Sequence, residues 1–60
     1  MSCYDLKIKI LSEKLLYDLG EIEERRYRHN TQVYLEDLEY INKEYYNESL
    51  EDFKKYGILI

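Results

Sequence analysis

The side chains that ordinarily carry chemistry are few in this chain of 60 residues. Its one cysteine, Cys3, has no partner for an intramolecular disulfide, and its one histidine, His29, leaves no Cys/His set with the spacing of a zinc site. Ser2, Ser12, Ser49 and Thr31 have no His-Asp pattern beside them to activate a hydroxyl, and there is no glycine-rich phosphate loop. His29 also lacks the glutamate, three residues earlier, that a di-iron helical bundle supplies. Glu36, Asp37 and Glu39, and then Glu44, Glu48, Glu51 and Asp52, are hard oxygen donors by type. Recurring every few residues along a helix, however, carboxylates make a solvated face, and the looped Asp-x-Asp-x-Asp-Gly pattern of a calcium site is missing. The inventory therefore predicts no enzyme, no metal and no cofactor.

Binding is the function class that remains. The eight tyrosines exceed what a two-helix core can use, and tyrosine is favoured where one end of the ring is buried and the other wet. Charge is divided unequally. Residues 1–30 carry six bases and six acids, whereas residues 31–60 carry three bases and seven acids, which accounts for the whole net charge of −4. The second half repels phosphate and suits a protein partner with a basic surface. The expected contact set is Tyr34, Glu36, Asp37, Tyr40, Glu44, Tyr45 and Tyr46. The alternative is a nucleic-acid-binding hairpin that uses Arg25, Arg26 and Arg28 around the stacking ring of Tyr27. Glu21, Glu23 and Glu24, within a turn of that cluster, offset much of its field.

The elements that must position these residues read as helices. There is no proline and no alanine, and glycine occurs only at 20 and 57. Tyr4, Ile8, Leu11, Leu15, Leu19 and Ile22 step by three and four residues, an amphipathic stripe that passes through Gly20 in phase. Tyr34, Leu38, Ile41 and Tyr45 do the same in the second half. Asn30 and Thr31 provide the clearest break, and Ser2 with Asp5 has capping-box spacing. Gly57 suits a helix C′ position, with Ile58 packing back over the last turn. The predicted fold is all-α, an antiparallel helical hairpin over about 3–28 and 31–56, each arm roughly 39 Å long. Asn47-Glu48-Ser49 is a second candidate break, which would leave a short third helix near 50–56. Acid-before-base pairs at four-residue spacing, Asp5/Lys9, Glu21/Arg25, Glu24/Arg28, Glu39/Lys43 and Glu51/Lys55, support helix throughout. The competing reading is a small α+β chain with residues 4–10 and 58–60 as strands, because Tyr4, Leu6, Ile8 and Ile10 alternate with polar neighbours.

A chain this short buries only about 60% of its unfolded surface and usually leans on disulfides, metal or oligomerisation. With the first two excluded on inventory, a homodimer forming a four-helix bundle is expected. On the wheel, Leu6, Ile10 and Tyr17 fall nearly opposite the main stripe of the first helix, so one apolar side is left over. The N-terminus has no basic region followed by an apolar run, and no stretch reaches the ~18 apolar residues of a membrane span. The expectation is thus a cytoplasmic protein without membrane contact. The compositional bias towards Tyr, Ile, Lys and Glu fits AT-rich coding, as in a phage or mobile element. Two equal helices in about sixty residues resemble, in format, the plasmid copy-number hairpin Rop, which dimerises into a four-helix bundle and binds paired RNA loops. The match stops at format, since Rop's basic RNA-facing set and small-residue core layers have no counterpart in a chain without alanine. The functional expectation is a small non-enzymatic regulator or inhibitor acting through an acidic, tyrosine-rich helical surface, or alternatively a structural subunit of a larger assembly.

Overall fold

In the computed structural model, which describes residues 2–58, the chain forms three helices: α1 (Cys3–Asp18), α2 (Glu24–Ile41) and α3 (Lys43–Lys55). The all-helical class holds, and α1 and α2 pack as a hairpin against which α3 folds. The predicted outer boundaries, near 3 and 56, hold, but the inner ones do not.

The first arm ends at Asp18, well short of the expected 28, because Gly20 terminates it. Its φ of 78° is left-handed, and it occupies the C′ position of a Schellman motif. The Gly20 amide donates to the Tyr17 carbonyl at 3.0 Å and the Glu21 amide to the Leu16 carbonyl at 2.9 Å. Gly57, φ 72°, repeats the motif at the end of α3, with the Ile58 amide donating to the Phe53 carbonyl at 2.8 Å. There the expected contact is made, since Ile58 and Phe53 are both buried in the core.

The predicted break at His29-Asn30-Thr31 lies inside α2. A stripe of Tyr27, Thr31, Leu35 and Leu38 runs straight through it on the buried side, and Thr31 is fully buried. A polar residue holds one place in that stripe, which hid its continuity from an apolar count. The true break is Asn42, with extended φ/ψ of −155° and 92°. Its amide closes α2 by donating to the Leu38 carbonyl, while its side-chain Oδ1 accepts from the Tyr45 amide at 3.0 Å and so caps α3. The third helix thus begins at Lys43, seven residues before the expected start near 50, and Ser49 is a buried interior residue of α3 in place of a cap. Replacing Asn42 with Ala should cost about 1 kcal/mol. It should appear as a lower urea midpoint at unchanged denaturant slope.

Ser2 caps α1 as its spacing predicts, its Oγ accepting from the Asp5 amide at 3.2 Å. Residues 4–10 are helical and no strand occurs among the described residues, which removes the α+β alternative there. Ile58 lies outside any strand, and Leu59 and Ile60 fall outside the described residues. The core is Leu6 and Ile10 from α1, Leu35 and Leu38 from α2, Phe53 from α3, and Ile58. Its radius of gyration, 10.8 Å, is close to the ~10.4 Å of an ordinary folded chain of this length.

The buried side of α1 is the reverse of the predicted one. Leu6 and Ile10 face the core, and Tyr17 stacks on buried Tyr27 with ring centroids 4.6 Å apart. Tyr4, Ile8, Leu15 and Leu19 point outward. The inward side even holds Glu13, whose Oε1 lies 3.5 Å from Asn30 Nδ2 and 3.9 Å from Arg26 Nη2 across the α1–α2 seam. Of the five predicted acid-before-base pairs, only Glu24 with Arg28 closes, at 3.2 Å. Glu39 and Lys43 are separated by the break at Asn42, and Glu21 lies outside the helix that carries Arg25.

Candidate interaction surfaces

The fold divides the predicted tyrosine and carboxylate set in two. Tyr34, Tyr45 and Tyr46 are half-buried and pack against the core. Lys7 lies 5.6 Å from the Tyr45 ring centroid and Lys9 lies 5.9 Å from that of Tyr34. Only Tyr40 stands clear, 92% exposed at the end of α2, with Glu36, Asp37 and Glu44 also exposed. At 100° per residue Val33, Glu36, Asp37 and Tyr40 share the side of α2 opposite Leu35 and Leu38. Of the predicted set, Tyr40, Glu36, Asp37 and Glu44 are exposed, and Tyr34, Tyr45 and Tyr46 are half-buried.

Arg25, Arg26 and Arg28 are all exposed and line an open hollow on the first half of α2 with Glu23, His29 and Gln32. The Arg28 guanidinium donates to Glu24 at 3.2 Å and Arg26 sits 3.9 Å from Glu13, so two of the three cations already face carboxylates. They also lie near the N-terminal end of α2, the positive end of its dipole, and not at a helix C-terminus as the predicted hairpin would place them.

Among the described residues, an uncovered apolar surface lies on the outer face of α1. Tyr4 (65% exposed), Ile8 (46%), Leu15 (59%) and Leu19 (65%) lie, with half-buried Leu11, within an arc of about 80°. Tyr56, from the end of α3, extends this face by forming a shallow groove with Leu11, Lys14, Leu15 and Asp18. These are the same residues whose spacing reads as a core stripe. Their periodicity was legible in the sequence, whereas their exposure was not.

One long-range ion pair ties α1 to α3, with Lys7 Nζ donating to Asp52 Oδ2 at 2.7 Å. The hydrogen bond from the Lys7 ammonium, with its charge, holds the Asp52 carboxyl below its ordinary value, and the same bond raises Lys7 against the opposing effect of burial. The depressed Asp52 contributes stability above the ordinary carboxylate range and loses it as pH falls through its folded-state value. Raised Lys7 contributes below the ordinary lysine range and loses it as pH climbs through its own. Asp52→Asn should therefore flatten the acid limb, so that denaturant midpoints measured at about pH 7 and about pH 3 differ less in the variant than in the wild type. An equal drop in both would assign the acid limb to other carboxylates.

No helix among the described residues is long and apolar enough to cross a membrane. Comparison with protein-family models, with curated proteins and with solved structures finds nothing that matches the chain.

Proposed function

We propose that this chain is a small non-enzymatic regulator that works by protein–protein association, with the outer face of α1 as the seat of contact. The supporting observation is the run of Tyr4, Ile8, Leu15 and Leu19, extended by Tyr56 and bridged by Leu11, which is half-buried and also packs against the core, left exposed while the opposite side of the same helix forms the core. A contiguous apolar patch of several hundred Å² is the size of the largest patch on an ordinary monomer, and such patches are often functional. A chain whose core is this small gains disproportionately from covering it.

The test is the size of the species that an epitope-tagged chain forms in extract of its native host. The wild type is expected to elute well above its 7.4 kDa and Leu15→Glu as the free chain. Wild type and variant both eluting as free chain would overturn the reading.

A second contact is favoured by the isolation of Tyr40 among Glu36, Asp37 and Glu44. This side suits a partner with a basic surface, the mode an inhibitor of a nucleic-acid-binding protein would use. A nucleic-acid contact through Arg25, Arg26 and Arg28 has less support, because Glu13 and Glu24 already face two of the three.

A further inference from the structure

Resting on the reading of α1's outer face as an association surface, we infer that the polypeptide covering it is a second copy of this chain, packed antiparallel, α1 against α1, about a two-fold axis that passes beside Leu11. Three observations carry this.

The first is spacing. A two-fold interface must be self-complementary, each residue meeting the partner's equivalent of another. In the outward stripe Tyr4 and Leu19 are equidistant from a midpoint between residues 11 and 12, and so are Ile8 and Leu15. An antiparallel pair therefore sets Tyr4 against the second copy's Leu19 and Ile8 against its Leu15, while Leu11 meets its own counterpart at the axis. Ser12, small and exposed, borders the axis and lets the two backbones approach.

The second is charge. The whole chain carries −4, but α1 holds three bases (Lys7, Lys9, Lys14) against three acids (Asp5, Glu13, Asp18), and no ionisable group falls within the arc of the stripe itself. Two copies can meet here without like-charge repulsion. The charges at its border, Lys14 and Asp18, already pair with each other at 3.0 Å, so a partner of one strong sign is not favoured.

The third is area. With about 200 Å² for a tyrosine side chain and about 100 Å² for an aliphatic one, the exposed fractions of Tyr4, Ile8, Leu15, Leu19 and Tyr56 amount to roughly 400 Å² of apolar surface per copy. That is about a tenth of the 4407 Å² total, the usual share for one side of an interface. With the stems of Lys7 and Lys14 at the rim, two copies reach about 1,000 Å², the lower bound of a specific interface.

The purified full chain, weighed in solution over a range of concentrations, should pass from 7.4 kDa to twice that mass. Leu15→Glu, and independently Leu19→Glu, should remain at 7.4 kDa with unchanged helical circular dichroism, both side chains being more than half exposed. Orientation is read by cysteine cross-linking on a Cys3→Ser background. Leu11→Cys should form a disulfide-linked dimer. Tyr4→Cys should not, because antiparallel packing holds the two positions about 22 Å apart. A wild-type mass of 7.4 kDa at every concentration up to millimolar overturns the second-copy inference, as does rapid cross-linking of Tyr4→Cys, which requires parallel chains. A larger species in native extract beside a purely monomeric purified chain would sink this inference alone and leave the association reading standing.

Discussion

Phe53→Ala is expected to unfold the protein at room temperature. Phe53 is the one fully buried large side chain of α3, and it sits in the core with residues from α1 and α2 and with Ile58. Truncating a buried phenylalanine costs about 3–5 kcal/mol, through lost transfer energy and the cavity left behind. A core in a chain below about 70 residues seldom supplies more than that in total. The far-ultraviolet circular dichroism of the variant should accordingly resemble that of a denatured chain. Phe53→Leu, which preserves most of the volume, should fold with a reduced urea midpoint. An alanine variant that melts with the wild-type midpoint would mean that α3 contributes little to stability and that the α1–α2 hairpin stands alone.

Ile8→Asp and Ile10→Asp, two residues apart with the same side chain replaced, should give opposite results. Ile10 has no solvent exposure, and a carboxylate placed there without a cation must either remain charged at a cost of several kcal/mol or protonate. That loss exceeds the margin of the fold. Ile8 is 46% exposed on the outer face, so aspartate there should leave the monomer folded, its midpoint within about 0.5 kcal/mol of the wild type in dilute solution. Equal destabilisation of the two variants, followed by urea denaturation, would contradict the assignment of faces in α1.

That assignment is also where the sequence was least informative. α2 and α3 are more one-sided, yet of the stripe Tyr34, Leu38, Ile41 and Tyr45 only Leu38 is fully buried, Tyr34 and Tyr45 are half-buried and Ile41 is 49% exposed, because the break at Asn42 ends the phase. α1 is apolar on both sides. Its longer, uninterrupted stripe is the exposed one, and its buried side is broken by Glu13, a residue that any apolar count rejects. What settles the choice is tertiary, since Glu13 finds Asn30 and Arg26 on α2 and Tyr17 finds Tyr27. Neither encounter is visible in local spacing.

The glycines teach the same lesson in pairs. Gly20 and Gly57 sit in the same Schellman geometry, but only Gly57 is followed by an apolar residue that packs back on its helix, and only its role could be read. After Gly20 comes Glu21, and the in-phase Leu19 and Ile22 on either side gave the impression of a continuous helix. The tyrosines divide in a way their number does not reveal. Tyr34, Tyr45 and Tyr46 are partly wet rings packed against a core too small to close with aliphatic side chains alone. Tyr40 is the member of the predicted set that stands fully clear.

The placement of Ile58 over Phe53 bears on biosynthesis. The core residue nearest the start is Leu6, so at 5–20 residues per second the ribosome needs about 3–10 s to deliver the rest of the core. Small helical domains fold in microseconds to milliseconds. A nascent chain therefore passes seconds with both sides of α1 uncovered, when either can be occupied by a chaperone or a neighbouring polypeptide. Folding waits on the arrival of residue 58 and not on any barrier of its own.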